Sequence, residues 1–508
     1  MRQLLLLTLI SFSTFAQTIV NTNNGKVEGY TKENLRIFKG IPFAAPPVGE
    51  LRWKAPQPVQ NWNGVRKCTE FSASPIQNKP APFYCWTEEF IAKPELLSED
   101  CLYLNVWATR NAQKLPVFVW IYGGGLSSGS ANCDIYDGEE MAKKGVVFVS
   151  INYRVGVLGF MAHPDLSKES GYNASGNYGF LDQIAALKWI QKNISAFGGN
   201  PANVTIAGQS AGAFSVNALI GSPLAKGLFH KAIPQSGGLL SRMLSQNLAD
   251  SEKQGTKFME LAQCKNMAEL RKKSAEELQK LSNNQQAGRF GVTLDGYVLP
   301  TDILAYFKNG KHNQVPILTG WVTGDGSFLG ENKITVEDYK KEIQAKYGDK
   351  AEEYLGIFPA ITQEEVKAMK QKQTLLGFAG MPSHLLAIYT NKPSYLYQFS
   401  HVPPEKPNFP NYGAFHTSEV PYALHTLHTW QRAWQSADKD LENTMSSYWV
   451  NFAKTGNPNG ANLPEWKPYD KQAGNMMMLD NQVENRAGLF KKEFDFLEMN
   501  VGNKIPHP

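Results

Sequence analysis

Two serines of this chain stand in the pattern G-x-S-x-G: Ser127 within Gly125-Leu126-Ser127-Ser128-Gly129, and Ser210 within Gly208-Gln209-Ser210-Ala211-Gly212. The pattern suits a serine nucleophile, because flanking glycines let the chain bend sharply and lift the hydroxyl off the end of a strand. Such a bend also needs a strand before it and a helix starting beneath it. Around Ser210 both are expected, since Val204-Thr205-Ile206-Ala207 has strand character and residues 211–220 read as a small-residue helix whose N-terminus favours negative charge. After Tyr122, by contrast, the chain around Ser127 runs into Ser-Ser-Gly-Ser-Ala-Asn, which is turn chemistry. Ser210 is therefore the expected nucleophile and Ser127 a loop residue. The value of that loop lies in Gly123-Gly124-Gly125, whose bare N–H groups can approach a carbonyl oxygen that becomes negative under attack. Each such donor typically contributes about 10²–10³ in rate.

An attacking hydroxyl needs a base, and the base needs an orienting carboxylate. In the α/β-hydrolase arrangement these follow in the order Ser, acid, His. Past Ser210, Asp325 stands between two glycines in Val322-Thr323-Gly324-Asp325-Gly326-Ser327, although Asp295 in Leu294-Asp295-Gly296 is an acidic turn residue of the same appearance. Two histidines, His401 and His416, follow a strand-like run at 395–399, and spacing leaves both open. His230 precedes a strand-like segment, His425 and His428 lie in a helix-like stretch, and His507 is in the tail.

The elements that must position these residues alternate between residues 115 and 320. Nearly continuous apolar runs at 115–122, 146–153 and 204–207 suit strands covered on both faces. Between the second and third, residues 179–190 carry apolar side chains at helical spacing, so a mostly parallel sheet with crossover helices is expected. Residues 249–285 are polar with leucines at helical spacing and predict surface helices; 315–320 and 395–399 return to strand character. No repeat, low-complexity tract or linker marks a domain boundary.

The chain has 508 residues with a formal net charge of +5 and no Lys/Arg block, which argues against nucleic acid or an anionic membrane surface as partner. A small-molecule or polymer substrate fits better. Arg2 precedes an apolar run at 4–15 that ends in Thr14-Phe15-Ala16 before Gln17, the order of a secretory signal with cleavage expected after Ala16. The run falls short of the roughly 20 residues a membrane helix needs, so the mature chain is expected to be exported, periplasmic or extracellular, without a membrane anchor. The five cysteines contain no C-x-x-C pair, which leaves no thiolate metal site.

Taken together, these residues resemble the type-B carboxylesterases and cholinesterases. The stretch from Phe197-Gly198-Gly199-Asn200-Pro201 to Ala207-Gly208-Gln209-Ser210-Ala211-Gly212 is similar to that family's serine signature. Ser98-Glu99-Asp100-Cys101-Leu102-Tyr103-Leu104-Asn105-Val106-Trp107 resembles its second signature. Phe38-Lys39-Gly40-Ile41-Pro42-Phe43-Ala44, Asn152-Tyr153-Arg154-Val155-Gly156 and Gly413-Ala414-Phe415-His416 are further matches. The resemblance implies an α/β-hydrolase fold, with a mostly parallel central sheet covered by helices and large insertions, as one catalytic domain over 17–508. It also implies Ser210 as nucleophile, His416 as base and Asp325 as its orienting acid, with Gly124, Gly125 and Ala211 as the oxyanion hole. Neither metal nor cofactor is implied. The substrate would be a small-molecule ester, hydrolysed through an acyl-enzyme. Ion pairs Arg52–Glu99 and Arg154–Asp182 are implied as structural.

Three departures from the family pattern stand out. Gln209 replaces the usual Glu before the nucleophile, removing a negative charge and pointing to uncharged esters, aromatic ones among them. Leu126 takes a position that is usually aromatic and alters one wall of the pocket. The usual partner of Cys101 would fall near Ser74-Pro75-Ile76, where no cysteine stands, so a bridge from Cys101 to Cys85 is expected, with Cys68 the alternative. Two rival readings are a non-catalytic binding or adhesion module and an acyltransferase working through the same acyl-enzyme.

Overall fold

The apolar runs form the middle of a thirteen-stranded sheet in the computed structural model, which describes residues 17–94, 96–241, 245–327, 334–407 and 409–500. In chain order the strands are β1 (Gln17–Thr22), β2 (Gly25–Lys32), β3 (Leu35–Pro42), β4 (Val65–Lys67), β5 (Tyr103–Thr109), β6 (Leu115–Ile121) and β7 (Val147–Ile151). They continue as β8 (Gly199–Gln209), β9 (Lys231–Gln235), β10 (Ile317–Val322), β11 (Ser394–Phe399), β12 (Met476–Leu479) and β13 (Glu484–Arg486). The sheet runs β1-β2-β3-β5-β7-β6-β8-β9-β10-β11-β12-β13, with β4 beside β2. From β7 to β12 every pairing is parallel. The expected signal segment and the cleavage after Ala16 lie outside the described residues.

The parallel centre is buried on both faces, as uninterrupted apolar strands require. All five residues of β7 are buried. The helices α1 (Tyr178–Asn193) and α2 (Ala211–Gly221) flank β8 in sequence, and α2 is buried along its whole length. The polar stretch read as surface helices holds α3 (Leu248–Leu261), α4 (Met267–Lys272) and α5 (Ala275–Ser282). The antiparallel edge β1–β2–β3–β5 is not anticipated from the sequence. Only Val20 of β1 and Val27 and Gly29 of β2 are buried, so these strands lack the continuous apolar signal of the centre. No helix among the described residues is long and apolar enough to cross a membrane.

Both implied ion pairs form. The Arg154 side chain donates to Asp182 from Nε (2.8 Å) and Nη2 (2.7 Å), and its backbone N–H reaches the same carboxylate at 3.0 Å. Arg52 donates through Nε and Nη2 to Glu99, each at 2.6 Å, and through Nη1 to the carbonyls of Arg271 and Lys273. It thereby ties the N-terminal third of the chain to the α4–α5 connection.

The expected disulfide does not form: all five cysteines are free. Cys101 lines a small space with Pro75, Ile76 and Arg154, while the Cys68 sulfur faces the Gly40 carbonyl. Cys85 sits in a turn closed by paired backbone hydrogen bonds between Phe83 and Trp86. The three sulfurs therefore have different surroundings, and burial pushes the thiols of Cys68 and Cys85 up to about 11 and about 12, away from reactive thiolate.

Because the Arg154–Asp182 pair is almost wholly buried, removing one partner leaves an uncompensated charge in the core. Asp182→Ala should destabilise the fold by about 3–5 kcal/mol. The shift in urea midpoint at constant slope measures this, and a variant within about 0.5 kcal/mol of wild type would show the pair to be dispensable.

Candidate active site

Strand β8 ends at Gln209, and Ser210 follows with φ 59° and ψ −122° before α2 begins. A non-glycine residue in such a conformation costs about 1–3 kcal/mol and persists only where its surroundings over-determine it. Here the Ser210 N–H donates to the Gln235 carbonyl at 2.9 Å, and the Ser210 carbonyl accepts from Phe214 N–H at 3.0 Å. The flanking glycines are required by contact. A Cβ on Gly208 would stand 2.5 Å from the Ile121 carbonyl oxygen, and one on Gly212 would collide with the same atom.

The glycine loop leaves β6 and packs against this turn. A Cβ on Gly123 would lie 2.7 Å from the Gln209 carbonyl, 3.1 Å from Ser210 Cβ and 3.6 Å from the Ala211 nitrogen. Gly124 and Gly125 follow at φ 110° and 64°. Ser127 has a different role: the N–H and hydroxyl groups of Ser127 and Ser128 all donate to the Gly124 carbonyl, at 3.0–3.3 Å. Leu126 is buried at φ 61°, and its carbonyl accepts from Gly156 N–H at 2.7 Å.

Of the acid and base candidates, Asp325 and His416 come together. His416 Nδ1 stands 2.5 Å from Asp325 Oδ1, with both side chains buried, while Asp325 Oδ2 accepts from Val322 N–H. The two loops touch directly, since Gly324 N–H donates to the Ala414 carbonyl and a Cβ on Gly324 would stand 2.5 Å from that oxygen. His401 lies elsewhere, its Nε2 2.7 Å from Asp438 Oδ1. Asp295 accepts the N–H groups of Tyr297, Val298 and Leu299 and holds a turn.

Ser210, His416, Gly124, Gly125, Leu126 and Gln209 all line one cavity of about 1180 Å³. Its walls include Phe83, Tyr84, Trp86, Phe90, Phe290 and Phe378. Within it Gln209 Nε2 lies 3.3 Å from Nδ1 and 3.2 Å from Nε2 of His416. A partner nearly equidistant from both nitrogens sits over the ring rather than on one in-plane lone pair. Thr417 donates its hydroxyl to Gln209 Oε1 at 3.3 Å and accepts from Trp86 Nε1 at 3.0 Å, so hydrogen bonds run from the aromatic wall to the amide that covers the imidazole.

Sequence reasoning missed Thr417, Trp86 and Glu419. The only signal for Glu419 is its place three residues after His416. It is fully buried, and burial first, then the nearby Asp325, pushes its carboxyl up to about 8. Burial thus holds Glu419 toward its neutral form, and it is Asp325 that touches His416.

The model of the carboxylesterase family matches residues 16–497. The chain is 36% identical to a fumonisin B1 esterase of Sphingopyxis macrogoltabida over 496 residues, covering 92% of this chain and 87% of that protein. It is 33% identical to the para-nitrobenzyl esterase of Bacillus subtilis (strain 168), covering 92% and 95%. A solved PNB esterase structure superposes with a TM-score of 0.82 at 31% identity, covering 94% of this chain and 99% of that one.

Glu419 also sets a pH dependence. The folded chain holds its proton up to about pH 8, whereas the unfolded chain releases it near the ordinary value of 4.5. Between those values the folded state binds more protons, so this group makes stability fall as pH rises. Glu419→Gln removes the titration, and the fall in melting temperature from pH 5 to 8 should be shallower than in wild type. Identical slopes would mean that Glu419 is ionised in the fold.

Proposed function

Since the chain belongs to the carboxylesterase family and is a carboxylic ester hydrolase, we propose that Ser210, His416 and Asp325 carry the reaction as a triad within one catalytic domain over residues 17–508. The observation that carries this reading is the 2.5 Å contact of His416 with Asp325 on the wall of the cavity that the strained Ser210 also lines. His416 takes the Ser210 proton as Oγ attacks the ester carbonyl, and the tetrahedral oxyanion is received by N–H groups of Gly124, Gly125 and Ala211. Collapse expels the alcohol, protonated by His416. Water, deprotonated by His416, then attacks the acyl-enzyme and releases the acid. Asp325 holds the imidazole with Nδ1 protonated and balances its positive charge.

The enzyme is exported, on the reading of the leader that ends at Ala16, and its substrates are uncharged rather than cationic esters. Gln209 supports this preference, because a neutral amide beside the nucleophile offers hydrogen bonds but no charge. The aromatic walls of the cavity favour an aromatic group on one side of the ester.

Ser210→Ala and His416→Ala should each lower kcat by on the order of 10⁴, while Ser127→Ala retains most activity. A phosphonate probe should label Ser210 in the intact protein; label on Ser127 instead would overturn the assignment. A separate comparison concerns Gln209→Glu. The variant should raise kcat/KM for a choline ester relative to its neutral counterpart by roughly tenfold. A ratio that does not move would remove Gln209 from substrate choice.

A further inference from the structure

The residues lining the cavity include two permanent cations, Lys79 and Arg289, and among the described lining residues no aspartate or glutamate. Arg289 follows Gly288, which has φ 68°, just before the strand Val292–Leu294, and its Nη2 donates to the Gly125 carbonyl at 3.3 Å. The guanidinium thus sits against the glycine loop while the side chain stays exposed to the cavity. A guanidinium remains charged throughout the working range. Lys79 belongs to the same wall. Two residues before it, Gln77 brackets Gly129, accepting its N–H at 2.8 Å and donating to its carbonyl at 2.9 Å. Asn78 bonds to Asn283 beyond the end of α5.

An uncompensated guanidinium facing a cavity that also holds the reacting serine is an unusual arrangement for an enzyme of purely neutral esters. It stays exposed and, beyond its bond to Gly125, keeps donors free on a rigid fork, the form of cation that best receives a carboxylate. We infer that Arg289, with Lys79 also lining the cavity, selects esters that carry a carboxylate besides the scissile bond. This rests on the reading of Ser210 as nucleophile of this cavity, keeps the exclusion of cationic esters argued from Gln209 and replaces an uncharged substrate by an anionic one, because a pocket whose described lining holds two cations and no anion repels cationic substrates and attracts anionic ones.

A brace for the glycine loop would also explain the bond to Gly125, so the test must separate a brace from a substrate contact. Two ester pairs do so. The first is the p-nitrophenyl ester of adipate with its carboxyl free, against the same ester with that carboxyl as the primary amide. The second is 4-carboxyphenyl hexanoate against 4-carbamoylphenyl hexanoate, which moves the charge to the alcohol side. In at least one pair, wild-type kcat/KM should favour the carboxylate by roughly tenfold or more, and 0.5 M salt should reduce that ratio. Arg289→Gln should bring it to about one, with Arg289→Lys between. Should wild type cleave the neutral esters but show no carboxylate preference in either pair, or Arg289→Gln lower both members equally, Arg289 is a brace and the inference fails alone. If wild type cleaves none of the four and the phosphonate probe leaves Ser210 unlabelled, the reading of the site fails instead.

Discussion

The close approach of Gly208 and Gly212 to the carbonyl of Ile121 is the constraint on which the rest of the site depends. Strands β6 and β8 pair in register with Gly208 opposite Ile121, and only bare backbone fits where the chain doubles back beneath that carbonyl. Ser210 is thereby forced to φ 59°. Tyr84, Leu126 and Thr417 share positive φ with it, at 49°, 61° and 90°, and all four line the cavity. Backbone strain is thus concentrated where the reacting groups converge, and the buried parallel strands around it supply the rigidity that holds such conformations in place.

Charge in the site is arranged with the same economy. Burial and the charge of Asp325 both oppose ionisation of Glu419. Its carboxyl is pushed up to about 8, while Asp325 makes the direct contact with His416. Gln209 adds polarity over the imidazole without a second negative charge, which in the proposed triad leaves Asp325 to balance the imidazolium. With a Glu in place of Gln209, the histidine would face two anions, and both its basicity and the charge presented to substrate would change together.

The sequence displays the parts of this molecule whose physics is local. The uninterrupted apolar runs of β6, β7 and β8, the small-residue helix after Ser210 and the turn chemistry around Ser127 can each be read from a few neighbouring residues. The antiparallel edge is fainter, because half-exposed strands alternate with polar residues and lack that run. Spacing left His401 beside His416, since both follow β11, and what separates them is a contact between loops: the Gly324 N–H on the Ala414 carbonyl brings Asp325 to one and not the other. The state of Glu419 and the hydrogen-bond chain through Thr417 and Trp86 are also tertiary, because burial and proximity to Asp325 are properties of the assembled fold. The disulfide misled for a related reason, as parity and order of cysteines say nothing of which way the sulfurs face.

The reacting groups come from loops after β6, β8, β10 and β11, at the ends to which parallel strands deliver their chain. His416 and Asp325 are 91 residues apart and Gln209 and His416 are 207 apart, so no segment of the chain holds the site by itself. What joins these distances is the sheet. Its central strands fix the loop origins with respect to one another, and a handful of short contacts, from Ser210 to Gln235, from Gly324 to Ala414 and from Gln77 to Gly129, set the remaining separations. The segments between β9 and β10 include none of the three proposed triad residues, yet they deliver Arg289 and Phe290 to the cavity wall. Chemistry is therefore bound to the rigid sheet, and the selection of what enters is assigned to the insertions around it.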